Sequence, residues 1–210
     1  MKLKKVALAA AIATALMASG PAFAQAPTAA PPAPAPAKAD AAAAVAGTYT
    51  IDASHTSIVA RVFHQGFSYS TFRFGKVDGE LTWDPKSPAA DKLTVNVDTA
   101  SIMTPVEGFA AEIGEKFTKT AQFPKATFVS TKFTQLSPSK GKVDGNFTLM
   151  GVTKPVTFDV TLIGAGSNRR GPVIGISAVT KIIATDYGLA AMFAGAPIEI
   201  LVDAEFDKKP

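Results

Sequence analysis

The chain has 210 residues, 47% of them hydrophobic and 18% charged, with 21 Lys and Arg against 17 Asp and Glu. No basic run exceeds two neighbours (Arg169-Arg170, Lys208-Lys209), which excludes an electrostatic footprint for nucleic acid. With no cysteine the fold rests on a packed core rather than on disulfides, and thiolate chemistry is excluded.

The first 24 residues have the form of a secretory signal. Lys2, Lys4 and Lys5 precede an apolar stretch from Val6 to Met17, and Ala22-Phe23-Ala24 offers a small-x-small cleavage site before Gln25. That stretch is short for a bilayer span, so a cleaved leader, export to the periplasm and no remaining membrane span are expected. Loss of its three lysines leaves 18 basic and 17 acidic residues, a net charge of +1. Residues 25–46 are almost wholly Ala and Pro. The prolines forbid a continuous helix and no large apolar side chain is present to bury, so a semi-extended linker is expected there. The folded domain is expected over 47–207.

From Gly47 the pattern changes to strands. A short one is expected at Thr48–Ile51, followed by a turn at Asp52-Ala-Ser-His55. Then Ile58, Ala60, Val62 and His64 share a face opposite Val59, Arg61 and Phe63. After Gly66-Phe67-Ser68 a strand over Phe72–Trp83 stops at Asp84-Pro85, and Leu93, Val95 and Val97 alternate with Thr94, Asn96 and Asp98. Thr104-Pro105-Val106-Glu107 reads as a capping box with Thr104 as N-cap, and Phe109, Ile113 and Phe117 follow at spacings of four, predicting a short amphipathic helix. Further strands are expected over Thr127–Thr134, Lys142–Leu149, Pro155–Ile163, Val173–Ile183 and Pro197–Phe206. Alternation on both sides of Met150-Gly151 marks a hairpin, and Pro155 confines its strand to an edge or bulge there. In the last strand Ile198, Ile200, Val202, Ala204 and Phe206 oppose Glu199, Asp203 and Glu205, with Leu201 the apolar exception on the wet face.

Eight antiparallel strands with short connections predict an all-β chain closed into an extended eight-stranded barrel, with the one short helix packed over one end. The polar rows face water and the apolar rows face in, the inverse of a porin. The inward rows nominate Ile58, Ala60, Val62, His64, Leu81, Trp83, Val95, Phe128, Phe147, Leu149, Phe158, Val160, Ile176 and Ile200 as candidate ligand-binding residues. A barrel of this size either fills with its own side chains or holds one small ligand, and periodicity leaves that choice open. The small residues Ala60 and Gly145 on inward rows point toward spare volume.

Several blocks stand in a recognisable order: Asp52-Ala-Ser-His55-Thr-Ser-Ile-Val, His64-Gln-Gly-Phe-Ser, Trp83-Asp-Pro85, Ser101-Ile102 with Thr104, Phe123-Pro-Lys-Ala-Thr-Phe-Val-Ser-Thr131, Gly145 through Val156, and Asp186-Tyr-Gly188. Together they resemble the YceI-like family of periplasmic, lipocalin-like polyisoprenoid-binding proteins, over about residues 47–206. The resemblance implies a lipocalin-like barrel whose long cavity binds an isoprenoid or similar amphiphilic chain. Three positions depart from the family pattern. Ala184 stands where an Arg is usual two residues before Asp186, Gly108-Phe-Ala-Ala-Glu112 replaces a charged helical pattern, and Ala60 stands where a Phe is common. The family's polar contacts near the cavity mouth therefore do not transfer to this chain, and Ala60 widens the expected cavity.

Catalytic chemistry has little to work with. The only histidines, His55 and His64, sit nine residues apart along strand-forming sequence, without ligand-type neighbours at metal spacing, so no metal is expected. His55 is expected to satisfy turn carbonyls, and His64 to meet a ligand head group near a barrel end. There is no Gly-x-Ser-x-Gly elbow and no paired acids with a reason for split pKa values. Binding suits the composition better. At about 0.8 kcal/mol per buried methylene a dozen carbons offer roughly 10 kcal/mol gross, before the cost of ordering them. The expected role is a carrier or sequestering protein for a polyprenyl- or quinone-type lipid, with no cofactor beyond that lipid. Its rivals are an enzyme acting on the lipid head group through His64 or Asp186, and a solid-core structural or partner-binding domain. Whether the protein forms a homodimer stays open.

Overall fold

The computed structural model describes residues 36–189 and 197–210; the expected leader at 1–24 and the first part of the linker lie outside these residues. The strands are β1 (Gly47–His64), β2 (Ser68–Phe74), β3 (Val77–Trp83), β4 (Lys92–Asp98), β5 (Ile102–Met103), β6 (Lys125–Ser137), β7 (Lys140–Leu149), β8 (Val152–Asn168), β9 (Gly171–Ile183) and β10 (Pro197–Lys208). Among the described residues the one α-helix, α1 (Phe109–Glu112), runs on into a π turn at Ile113–Phe117. Every registered strand pair is antiparallel, in the order β10-β9-β8-β7-β6-β4-β3-β1-β2-β5, and β10 returns to β1. The single strand expected over Phe72–Trp83 is two segments: β3 pairs with the start of β1 and β2 with its end, so those two occupy one place in the wall, and β4 on β3 with β5 on β2 occupy the next. Ten segments thus make eight staves, the closed eight-stranded barrel that the alternation predicts.

The β7–β8 hairpin shows how local chemistry sets register. Met150 and Gly151 both have positive φ (51° and 75°), the two-residue reversal whose twist matches antiparallel strands. Gly151 takes this conformation freely. Met150 does not, and its side chain is buried with Tyr187 and Ile198, which offsets the strain. Pro155 lies opposite Asn146, before β8 joins β9 at Asp159. Its missing N–H therefore costs no ladder bond. On the outer wall Leu201 lies between Val59 and Val179, so the one apolar residue on the wet face has apolar neighbours on both sides.

Three further expectations are corrected. The segment Asp52–His55 is not a turn. β1 runs straight through it against the same partner, with Asp52 opposite Glu205 and Ser57 opposite Asp203, so residues 53–56 form a bulge. The insertion reverses side-chain parity: Tyr49 and Ile51 face in before it, Ile58, Ala60 and Val62 after it. Nor does the capping box form. Thr104 Oγ1 donates to the Val106 carbonyl, and α1 starts four residues later with Gly108 at φ 77° in the N-cap place, a conformation glycine adopts at no steric cost.

The third correction concerns the linker. Residues 36–46 dock against the barrel end opposite the helix. Lys38 bridges Ala165, Ala41 N–H donates to the Pro138 carbonyl, and Asp40 caps a 3₁₀ turn at Ala41–Ala43. Ala41 and Ala44 are buried. Alanine suits this place because it covers surface at no side-chain entropy cost.

Candidate functional site

Buried side chains form three groups stacked along the barrel. One surrounds Tyr49, Leu81 and Phe206, one surrounds Phe128 and Phe158, and one surrounds Met150, Ile182 and Tyr187. Edge-on ring contacts stiffen the wall, Phe128 on Phe158 at 5.0 Å and Phe147 on Tyr187 at 5.5 Å. Inside the wall runs a cavity of about 640 Å³, and every one of the fourteen residues nominated from the sequence lines it. The full inward row of β10, from Ile198 to Phe206 by alternate residues, lies along it, so the hollow follows the strands rather than forming a local pit.

Gly145 does not provide spare volume. A Cβ built there would overlap the Phe128 ring and stand 2.6 Å from the Val129 carbonyl, so the Phe128 ring already occupies the space over the glycine. Ala60 does face the cavity.

Further lining residues come from two kinds of place. Leu93, Leu162, Ile174, Val202 and their like belong to the same alternating rows, and period two alone would have found them. Phe109, Ile113 and Phe117 line the cavity from the helical segment, whose Phe109 ring also meets Phe72 at 6.3 Å. Ala41 and Ala44 line it from the opposite end, and nothing in an Ala/Pro run signals that.

Polar groups on the cavity wall are few. His64 ends β1 and is exposed. Asp186 is exposed on the 3₁₀ turn Ala184–Tyr187 and is not part of the lining, so the two residues considered for head-group chemistry are not brought together on the cavity. Ala184 is fully buried among apolar neighbours. Asp91 is buried, and its Oδ1 accepts from the Asp84 N–H at 2.7 Å. Desolvation pushes its carboxyl above the usual carboxylate range. Burial likewise raises the hydroxyls of Tyr49 and Tyr187.

Outside the barrel the β1 bulge is held by charge. The Asp52 carboxylate accepts from the Ser54 hydroxyl, from His55 Nδ1 at 2.9 Å and from Arg170 Nη2 at 2.7 Å, which together hold it far below its ordinary pKa. His55 thus meets a carboxylate rather than turn carbonyls, and is raised by that contact. Among the described residues, ligand-type atoms of Asp52, His55 and Glu205 lie within 4.8 Å of one another. Arg170 also reaches Asp207 at 3.1 Å, so a cation entering there would meet a guanidinium already seated.

With this geometry in view the comparisons are direct. Residues 49–206 match the model of the YceI-like domain. The chain belongs to that family. A UPF0312 protein of Vibrio cholerae is 34% identical over 164 residues, 76% of this chain and 87% of the relative. Burkholderia cenocepacia BcnA superposes with a TM-score of 0.65 at 19% identity, covering 74% of this chain and 98% of that one. A polyisoprenoid binding domain from Saccharophagus degradans superposes at 0.57 with 16% identity, covering 77% and 98%. At these identities the two structures speak to the YceI-like fold alone. Among the described residues no helix is long and apolar enough to cross a membrane.

Proposed function

We propose that this YceI-like domain binds an isoprenoid-tailed or similar amphiphilic lipid along its bore and carries or sequesters it in the periplasm after export. The observation that carries the reading is the continuous apolar cavity along β10. Eight residue steps from Ile198 to Phe206 at about 3.3 Å each, tilted by about 40°, give a bore of about 20 Å. An extended chain advances about 1.2 Å per bond, so such a bore matches a tail of about 16 carbons. At about 0.8 kcal/mol per methylene the gross gain is on the order of 13 kcal/mol, enough to leave tight binding after ordering costs without one strong polar contact. The name of the Saccharophagus domain supports the same ligand class. Binding rather than catalysis is favoured because, of the titratable residues at the lining, Glu112, Lys140 and Lys142 are engaged by Lys116, Thr161 and Asp159, while His64 and Asp91 stand at opposite ends of the bore.

The test is lipid extraction and mass spectrometry of natively purified protein, with titration of polyprenol and quinone into delipidated protein. A stoichiometric apolar lipid, or saturable binding of an added one, is expected. Neither being found would overturn the reading.

A further inference from the structure

The hairpin joining β1 to β2 carries large apolar side chains into solvent. Gln65 and Gly66 both have positive φ (52° and 85°), and the Phe67 N–H donates to the His64 carbonyl at 3.0 Å. The chain therefore reverses tightly and leaves Phe67 at the tip, 87% exposed. Phe63 and Tyr69 lie opposite each other just behind it, with ring centroids 5.4 Å apart, and both are exposed. The same level of the wall continues across two more strands. Val62 lies opposite Ile198, which brings Phe63 level with Pro197, and Pro197 lies opposite Ile183; these two are exposed as well. The neighbouring strands β2, β1, β10 and β9 thus present Tyr69, Phe63, Pro197 and Ile183 as one apolar rim, with Phe67 standing above it.

Cations lie directly below the rim. Two residues down each strand the row reads Thr71, Arg61, Glu199 and Lys181. Glu199 pairs with both Arg61 and Lys181, two cations on one carboxylate. Arg61 also lies 4.7 Å from the centre of the Tyr69 ring, and Arg73 is exposed two residues further down β2. From Ala53 to Val77 there is no Asp or Glu. The carboxylates of this end, Glu107, Glu112, Glu115 and Asp186, stand around the helical segment and the turn after β9, and Glu112 is paired with Lys116. His64 and Gln65 of the hairpin border the cavity, so the rim is continuous with the cavity end away from Ala41 and Ala44.

An apolar tip above a cationic row suits the surface of a bilayer, where rings enter the acyl boundary and long cationic side chains reach back to the phosphates. The dimensions agree. Arg61 lies three residues behind the His64–Ser68 pair, about 10 Å at 3.3 Å per residue, which is the depth to which interfacial elements enter. A second copy meeting this face would bring two cationic rows together. A protein partner would need a pocket shaped to a projecting ring, whereas fluid lipid closes around one. We propose that the β1–β2 hairpin docks the protein on a bilayer bearing anionic lipid. Phe67 enters the acyl boundary, the rim of Phe63, Tyr69 and Ile183 lies at headgroup level, and Arg61, Lys181 and Arg73 face the phosphates. The docking surface belongs to the rim and outer wall, so the inference goes beyond the carrier reading and is tested apart from it.

The test is flotation of the purified protein with vesicles of phosphatidylcholine, alone or mixed with phosphatidylglycerol. The wild type is expected to float with both and to prefer the anionic mixture. Phe67→Ser, at an exposed position outside the cavity lining, should leave the melting temperature unchanged and lower partition onto the anionic vesicles roughly 10- to 100-fold, the worth of burying one Phe side chain. Lys181→Gln should cost about fivefold on the anionic vesicles, the worth of one cation near the surface, and leave the neutral ones unaffected. Because the chain has no cysteine, Phe67→Cys gives a unique site for an environment-sensitive dye, whose emission should shift to the blue on adding vesicles and be quenched by a spin label placed shallow in the acyl chains. A dye that vesicles leave unmoved, partition that Phe67→Ser leaves unchanged, or equal binding to the two compositions overturns the proposal. A blue shift that grows with protein concentration without vesicles assigns the face to a second copy and overturns it too. Binding of soluble lipid inside the cavity should be equal in wild type and Phe67→Ser; its absence from both would remove the carrier reading and leave the docking result standing.

Discussion

Replacing Ala60 by Phe tests whether the bore sets the length of what it holds. Ala60 lies opposite Ile200 on β10 and Phe72 on β2, and all three line the cavity. The new ring would enter the bore near its helix end. Ring systems in contact stand about 4.5–7 Å apart, so the ring takes roughly 4–5 Å from a bore of about 20 Å. At about 1.2 Å per bond that removes three to four methylenes, or about 3 kcal/mol, close to a 100-fold loss for a tail that fills the wild-type bore. The assay is titration with saturated chains of increasing length and one common head group. Affinity should rise about fourfold per carbon, the equivalent of about 0.8 kcal/mol, and break near 16 carbons in the wild type. In the variant the break should come three to four carbons earlier, with short chains unaffected and the melting temperature unchanged. An unmoved break point, or an affinity indifferent to length, would refute the reasoning. A large fall in melting temperature would show that Ala60 faces packed atoms instead of open bore.

Other expectations follow from the same geometry. Gly145→Ala should destabilise by about 2 kcal/mol, because the added methyl meets both a ring and the immovable Val129 carbonyl; a melting temperature lowered by about 4–8 °C is expected, and an unchanged one would show that Phe128 moves without cost. The depressed Asp52 carboxyl contributes stability that is fully present above its ordinary pKa of 3.8 and is lost as pH falls below that value towards the folded one. The raised His55 contributes below its ordinary 6.5, and that share is lost as pH rises through its folded value. Asp52→Asn should therefore flatten both limbs of denaturation midpoint against pH, and an unchanged profile would exclude the cluster as their source. Ala44→Asp places a charge among Tyr49, Leu81 and Phe206 and should release the docked segment; faster proteolysis within 36–46 with the barrel's circular dichroism retained is the expected result.

The alternation of apolar and polar residues was enough to determine the barrel and which rows face in. A side-chain period of two leaves each strand only two faces, and one of them must be dry. That is why all fourteen nominated positions came to the cavity wall, although they were chosen from strands far apart in the chain. Local chemistry failed where two structures use the same local signal. Asp52 bonding to Ser54 looks alike in a turn and in a bulge, and only the pairing of both halves of β1 with β10 distinguishes them. Thr104 offered a cap, yet its hydroxyl bonded within the loop and the helix began at Gly108. Whether the interior is hollow was a matter for tertiary structure alone: Gly145 proved to be filled by Phe128 and Ala60 proved open, because free volume depends on where rings from other strands come to rest. The same holds for the docked alanines and for the rim of Tyr69, Phe63, Pro197 and Ile183, since a sequence specifies its apolar residues while which of them meet depends on the neighbours that the fold brings.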